Sequence, residues 1–130
     1  LAPFDADNAI SAAIGRGDVQ MLGTSGTVTT MGGLHLDLPR YDRSKVDGLD
    51  LEFDCIADIT ARLVAMDYQD RLALPCIGRG RADLMVAGCA ILEAICRRWP
   101  VGRLRAADRG IREGLLLAMM ADDARAGYDA

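Results

Sequence analysis

Apolar residues recur at helical spacing over most of the chain, and only two short stretches resemble strands. Breaks at glycine, proline and short polar residues divide the helical pattern into segments. The pattern predicts helices from Asp7 or Asn8 to Ile14 and over 27–36, 53–66, 68–72 and 81–99, with strands over 19–22 and 104–107. The polar stretch LPRYDRSKVDG, residues 38–48, is predicted to be a connection.

The segment 81–99 is apolar on nearly all sides until Glu93 and Arg97. A helix without a polar face is expected to be buried on most sides. We therefore expect 81–99 to be the central helix. Its predicted core stripe is Leu84, Gly88, Ile91, Leu92, Ile95 and Trp99, and its predicted small-residue face is Ala87, Ala90 and Ala94.

Each predicted strand is followed by a turn and a helix, which indicates a parallel α/β arrangement. After the second strand, Asp108 is the expected helix cap and Gly110 the turn residue. Two strands of about four residues are too few for a sheet buried on both faces. We therefore expect some partner strands to lie before Leu1.

The loop GTSGT, residues 23–27, follows the first predicted strand and precedes a predicted helix. Gly23 and Gly26 can take positive φ and allow a ligand to approach the backbone closely. The hydroxyls of Thr24, Ser25 and Thr27 can cap the helix, and its first N–H groups can bind a phosphate or a carboxylate. An ordinary capped strand-to-helix turn has the same composition, so both interpretations stand at this point.

With 130 residues and 51% apolar composition, the chain is long enough for one domain with a single core. It has neither a long uninterrupted apolar run nor the pattern of a signal peptide, so we predict no membrane segment. Because it begins at Leu1 rather than Met, we expect it to be part of a longer protein. The net charge of −4 argues against binding to nucleic acid through a broad basic field.

The basic residues and the cysteines narrow the chemistry further. Of the fifteen basic residues only Lys45 is a lysine, and arginine forks suit phosphate contacts, although surface pairing with acidic residues explains most of them equally well. Cys55, Cys76, Cys89 and Cys96 show no CxxC spacing, and one histidine, His35, cannot complete a metal site with them. We expect buried free thiols, with Cys89 and Cys96 on one helix side, and a reducing cytoplasm. His35 is expected to be structural or on the surface.

Three segments together resemble the exopolyphosphatase/guanosine pentaphosphate phosphohydrolase (Ppx/GppA) family: GTSGTVTTMGGLHLDLPRYDRSKVDG, CIGRGRADLMVAGCAILEAI and LRAADRGIREGLLL. They occur in family order between about residues 19 and 119. The resemblance implies an α/β fold of the actin-like ATPase superfamily, built from two ribonuclease-H-like domains. Residues 1–130 would form most of the second domain, a helix-rich part with few strands, and the first domain and catalytic loops would lie upstream. Asp50 departs from the family pattern, in which a large residue is usual.

The resemblance also assigns roles to residues. Gly23, Thr24, Ser25, Gly26 and Thr27 would form the phosphate or nucleotide loop, and Arg81 would line the cleft and contact the ribose or phosphates of a guanosine ligand. Asp108 and Arg109 resemble a family turn in which a cap and an ion pair are expected. No catalytic residue and no metal ligand is expected in this stretch, so the water-activating glutamate and the Mg²⁺ environment would lie upstream.

The implied activity is hydrolysis of a phosphoanhydride, which releases orthophosphate from inorganic polyphosphate or guanosine pentaphosphate. A noncatalytic domain that senses guanosine nucleotides such as guanosine tetraphosphate, and a phosphotransferase on the same fold, are the alternatives. The missing N-terminal half would be the main protein partner. The sequence leaves open the preferred substrate, a homodimer and a further C-terminal domain.

Overall fold

The sheet of this computed structural model, which describes residues 1–78, 80–125 and 127, has three short strands. They are β1 (Met21–Gly23), β2 (Asp50–Glu52) and β3 (Arg103–Ala106), in the order β1-β3-β2. β1 pairs with β3 in parallel, with Leu22 opposite Arg105. The predicted parallel arrangement of these two strands is confirmed, with their bounds shifted by one or two residues.

The antiparallel strand β2 was not predicted. It pairs with β3 so that Leu51 lies opposite Leu104, and both side chains are buried. Leu51 is the one apolar residue of this three-residue strand, and a helix begins at Phe53, directly after it. Alternation cannot be recognised over so short a stretch, and for this reason the sequence pattern missed the strand.

Eight helices surround this sheet in the described part of the chain. Their bounds are α1 (Ala2–Asn8), α2 (Ile10–Gly15), α3 (Gly26–His35), α4 (Arg43–Val46), α5 (Phe53–Ala65), α6 (Tyr68–Ala73), α7 (Met85–Arg98) and α8 (Ile111–Arg125). The predicted helices over 27–36, 53–66 and 68–72 are confirmed to within one residue at each end. Asp67 caps α6 as expected, because its carboxylate accepts a hydrogen bond from the N–H of Asp70 at 2.8 Å.

The N-terminal helix begins earlier than predicted and is broken once. Ala9 adopts a left-handed conformation with φ 51°, which separates α1 from α2. The buried carboxylate of Asp5 accepts hydrogen bonds from the N–H and the hydroxyl of Ser11 at 2.7 and 2.6 Å. Asp5 therefore takes the capping role that the sequence had assigned to Asp7 or Asn8.

The most deeply buried helix is α3, and the prediction that 81–99 forms the central helix is wrong. Every residue from Val28 to Leu34 is buried in α3. In contrast, α7 starts only at Met85 and leaves Leu84 and Ile91 about two-thirds exposed. The buried stripe of α7 is Met85, Cys89, Leu92 and Cys96. A helix that is apolar all round does not show in its sequence which side faces the core, and this explains the error.

Two further predictions about turns are corrected. The connection 38–48 contains the one-turn helix α4, whose Val46 is fully buried. Asp108 does not cap α8, because its carboxylate accepts a hydrogen bond from the hydroxyl of Tyr41 at 2.7 Å. At the start of α8, the carboxylate of Glu113 instead accepts from the N–H of Gly110 at 2.7 Å.

All four cysteines are free, as expected, and Cys89 and Cys96 share one buried helix side. Cys55 differs from the expectation, since it is only partly buried and contacts His35. None of the helices in the described ranges is long and apolar enough to cross a membrane.

We predict that Gly88→Ala destabilises the protein. A Cβ atom at Gly88 would lie 2.4 Å from Oγ1 of Thr27, a contact that forces α7 away from α3. Overpacking of this kind costs about 1–3 kcal/mol. Gly114→Ala is the matched control because nothing lies within 4 Å of its Cβ position, and it should stabilise α8 by up to about 1 kcal/mol. Urea unfolding of both variants measures the difference, and equal shifts in midpoint would contradict the contact.

Candidate functional site

The first turn of α3 starts directly after β1 and a two-residue loop. Ser25 is its N-cap: the hydroxyl accepts a hydrogen bond from the N–H of Val28 at 3.3 Å, and the carbonyl accepts from the N–H of Thr29 at 3.1 Å. The N–H groups of Gly26 and Thr27 precede the first intrahelical bond and donate to no acceptor in the described residues. These two donors mark the positive end of a buried ten-residue helix.

The two loop glycines are needed for close packing, and neither uses the positive φ that glycine can take. In the described ranges, the glycines with positive φ are Gly17, Gly48, Gly102 and Gly127. A Cβ atom at Gly23 would lie 2.7 Å from Cγ2 of Val28, and one at Gly26 would lie 3.1 Å from Cζ of Arg81. Gly23 lets the sheet approach α3, whereas Gly26 makes room for a guanidinium group.

The structure brings Arg81 to this loop from more than fifty positions along the chain. Its guanidinium lies against Gly26, and Nη1 donates a hydrogen bond to the buried hydroxyl of Thr30 at 3.4 Å. Arg81 does not open a helix as predicted; it lies in the turns before α7, where its carbonyl accepts from the N–H of Met85. Among the described residues, no carboxylate lies within ion-pair distance of Arg81.

The remaining predicted loop residues have different surroundings. Thr24 is exposed and lines a cavity of about 440 Å³ together with residues that follow β3. The side chain of Thr27 packs against Gly88 of α7, so it has a packing contact that the sequence did not suggest. The structure thus gathers Thr24, the N–H groups of Gly26 and Thr27, and Arg81 around one helix end, while Gly23 and Ser25 support it.

A second loop, residues 107–110, lies beside the first because the two strands run in parallel. The N–H of Ala107 donates to the carbonyl of Gly23 at 2.9 Å. The carboxylate of Asp47 accepts from the N–H of Asp108 at 3.0 Å and from Nε of Arg109 at 3.1 Å. The expected ion pair in this turn is therefore present, with Asp47 as the partner. Ligands bind preferentially at the carboxyl ends of parallel strands, where both loops lie.

Tyr41 and Arg43 contact the same loop and were missed by the sequence analysis. Arg43 donates to the carbonyl of Asp108 and lies 3.6 Å from its carboxylate, which also accepts from Tyr41. Both residues belong to the stretch predicted as a plain polar connection, and no spacing signal marks them. A cavity of about 270 Å³ lies between this cluster and Arg81, and it is lined by Thr29, Tyr41, Cys76, Gly78, Arg81 and Asp108.

Arginines and main-chain donors engage the carboxylates of this region. The N–H of Asp108 and the guanidinium of Arg109 hold the pKa of Asp47 below its usual value. Burial, and then the Asp108 carboxylate, raise the pKa of Tyr41 to about 12, because each disfavours the phenolate. No group of three His, Cys, Asp or Glu side chains in the described part of the chain could hold a metal ion. The site therefore offers donors for an anion and a neutral phenol.

A helix N-terminus, an unpaired guanidinium and a second loop at the carboxyl ends of parallel strands are features of an α/β protein with an anion-binding cleft. A sequence model described as the Ppx/GppA phosphatase family matches residues 5–123. The chain belongs to this family.

Comparisons with individual proteins agree with this assignment. The chain is 29% identical to exopolyphosphatase 2 of Mycobacterium tuberculosis, over 75% of this chain and 32% of the relative. It therefore spans about a third of the length of the curated relatives that it matches.

Solved structures of the family have the same fold. The Aquifex aeolicus member of the Ppx/GppA family superimposes with a TM-score of 0.77 at 24% identity, over 81% of this chain and 35% of that chain. An exopolyphosphatase from Cytophaga hutchinsonii gives a TM-score of 0.73 at 19% identity, over 92% of this chain and 40% of that chain. These likenesses confirm the predicted fold class, the α/β actin-like ATPase fold.

The loop variants Ser25→Ala and Gly26→Val should separate capping from anion binding. Loss of the cap costs about 1 kcal/mol of stability but leaves the main-chain donors in place, so pyrophosphate affinity should change little. A valine at residue 26 instead meets the Arg81 guanidinium, whose Cζ is 3.1 Å from the Cβ position, and should reduce affinity strongly. Calorimetric titration with pyrophosphate, alongside unfolding, measures both effects. Equal losses of affinity in two folded variants would contradict this geometry.

Tyr41 should titrate well above 10.0, the usual pKa of a tyrosine phenol. Asp108→Asn removes the carboxylate that opposes ionisation, so the pKa of Tyr41 should fall from about 12 towards its usual 10.0. In the unchanged protein the raised pKa contributes stability below pH 10 that is lost as the pH rises from 10 to about 12. Phenolate absorbance measures the shift, and Tyr41→Phe identifies the signal. An unchanged titration in Asp108→Asn would rule out the electrostatic cause.

Proposed function

We propose that this chain forms one wall of the cleft of a phosphoanhydride hydrolase that releases orthophosphate from the end of inorganic polyphosphate. The observation that carries the proposal is the guanidinium of Arg81 against the first turn of α3, close to the free N–H groups of Gly26 and Thr27. A phosphate placed there would receive main-chain hydrogen bonds and a charge-assisted contact from one side.

This arrangement suits phosphoryl transfer, which depends mainly on positioning and neutralisation of charge. Arg81 is well suited to this task because its charge has no carboxylate partner among the described residues and its hydrogen bond to Thr30 limits the positions of the side chain. Membership of the Ppx/GppA phosphatase family and the similarity to an exopolyphosphatase support the same chemistry.

We further propose that residues 1–130 are most of the second α/β domain and that the base and the Mg²⁺ ligands belong to other parts of the complete protein. The described residues do not fit a magnesium site by themselves, because Asp47 and Asp108 are already engaged by arginines and no cluster of three ligands is present. We therefore assign no step to the metal here, and these residues contribute binding and orientation.

Guanosine pentaphosphate is the second candidate substrate. The cavity of about 270 Å³ beside Arg81 gives room for more than one phosphate group, and Thr29, Tyr41 and Asp108 supply polar atoms in its wall. A kinase would need an acceptor, so phosphate release without an acceptor distinguishes a hydrolase from it. A sensor would bind guanosine tetraphosphate and leave polyphosphate intact.

Arg81→Ala in the complete protein should weaken guanosine pentaphosphate more than polyphosphate. A polymer can engage other phosphate sites along its length, whereas a compact nucleotide cannot. Loss of a charge-assisted contact of roughly 1.5–3 kcal/mol lowers the nucleotide's apparent affinity by about ten- to a hundredfold. Arg81→Lys should restore only part of this, since an ammonium group lacks the planar fork. Steady-state kinetics with both substrates measures the effect.

Arg16→Ala is the matched control for the lost charge. Arg16 is exposed and pairs with Asp18 at 2.8 Å. It precedes β1 and so lies towards the amino end of that strand, whereas the site lies at the carboxyl end. We expect near-normal kinetics for this variant. If Arg81→Ala behaves like Arg16→Ala with both substrates, Arg81 is a surface residue and the proposed phosphate contact is wrong.

A further inference from the structure

A cysteine and a histidine meet at the end of α3 opposite the anion site. Sγ of Cys55 lies 2.9 Å from Nδ1 of His35, within hydrogen-bond distance. His35 is the last residue of α3, and Cys55 lies in the first turn of α5. A thiol in contact with an imidazole is the arrangement in which histidine accepts the proton of a cysteine nucleophile.

This pair is more open to solvent than the other thiols. His35 is exposed and Cys55 is partly buried, whereas Cys76, Cys89 and Cys96 are 8%, 0% and 6% exposed. All four cysteines lie in the described ranges. A reagent in solution should therefore meet Cys55 first, and the buried thiols should react only after the fold opens.

The two helix ends favour charge separation in the pair. Cys55 is in the first turn, at the positive end, of a thirteen-residue helix whose N-cap, Glu52, makes no side-chain capping bond. His35 is at the negative end of α3. The positive end of α5 stabilises a developing thiolate, and the negative end of α3 stabilises an imidazolium.

Other features of the surroundings of Cys55 oppose its ionisation. Burial, and then the carboxylate of Asp58 one turn further along α5, raise the pKa of the Cys55 thiol. In the tautomer with an unprotonated Nδ1, the S–H group of Cys55 donates a hydrogen bond to His35, and the two helix ends act only when the thiol begins to ionise. Reaction then depends on a base in contact with the S–H group.

We propose that Cys55 is a covalent modification site for soft carbon electrophiles, with His35 as its general base. In the reaction with iodoacetamide, the Cys55 proton moves to Nδ1 of His35 and the sulfur attacks the methylene carbon. A C–S bond forms, the C–I bond breaks, and iodide leaves with the electron pair. The products are a thioether, an imidazolium and iodide, so atoms and charge balance.

Limiting iodoacetamide, added to the folded complete protein at neutral pH, tests the proposal by peptide mass spectrometry. Cys55 should be labelled before Cys76, Cys89 and Cys96. His35→Asn should slow Cys55 labelling by about tenfold or more, since general-base assistance contributes roughly 10²–10⁴-fold. The difference in Cys55 labelling rate between the unchanged protein and His35→Asn should become smaller as the pH rises, because an ionised thiol needs no base.

Asp58→Asn is the opposing control on the same helix. It removes the carboxylate that disfavours the thiolate, so labelling should become faster, and Cys55→Ser should abolish the label. Circular dichroism and the unchanged protection of the buried cysteines establish that each variant is folded. Equal labelling rates for the unchanged protein and a folded His35→Asn variant, or prior labelling of a buried cysteine, would overturn the proposal.

Discussion

The position of α3 depends on glycines that let neighbouring side chains pack directly against the backbone. Seven consecutive residues of this helix are buried, so its neighbours must pack against backbone on several sides. At five places a single Cβ atom would come within 3.1 Å of a neighbouring side chain. The pairs are Gly23 with Val28, Gly26 with Arg81, Gly32 with Val46, Gly33 with Cys76 and Gly88 with Thr27. Sheet, α4, α7 and the preceding turns are thus all held against one helix.

This packing also prepares the candidate site for an anion. The free N–H groups of Gly26 and Thr27 are fixed because Val28 and the residues after it are buried, and the Thr27 side chain is held against Gly88. An arginine side chain loses conformational entropy when a ligand immobilises it. Arg81 already contacts Gly26 and donates a hydrogen bond to Thr30 without a ligand, so less entropy remains to be lost. Donors that need little rearrangement retain more of their interaction energy for binding.

The main elements of the fold and the position of the loop at residues 23–27 could be predicted from the sequence, but the contacts of the candidate site could not. Ser25 and the glycines have local signals, and the resemblance placed Arg81 in the same cleft. The actual use of the glycines is a matter of distance between helices, which has no local signature. The buried side of α7 was similarly hidden, because its periodicity fits more than one face.

Long-range contacts account for the rest of what was missed. Tyr41 reaches Asp108 across 67 positions, and Asp47 reaches Arg109 across 62. The strand β2 depends on pairing with β3, which follows it by some fifty residues, rather than on its own composition. Such contacts follow from the assembled sheet and become visible only when its strand order is known. Composition alone correctly identified residues 38–48 as polar, but it could not identify the residues that they contact.

The two ends of α3 carry opposite requirements, and a single helix meets both. Its N-terminal N–H groups and Arg81 favour a negative ligand, whereas its C-terminal carbonyl groups favour a positively charged group. Ten residues place these ends about 15 Å apart. An adduct of a few atoms on Cys55 would therefore not reach the candidate anion site directly. Any effect of modification on ligand binding would have to pass through movement of α3, and its close glycine contacts strongly oppose such movement.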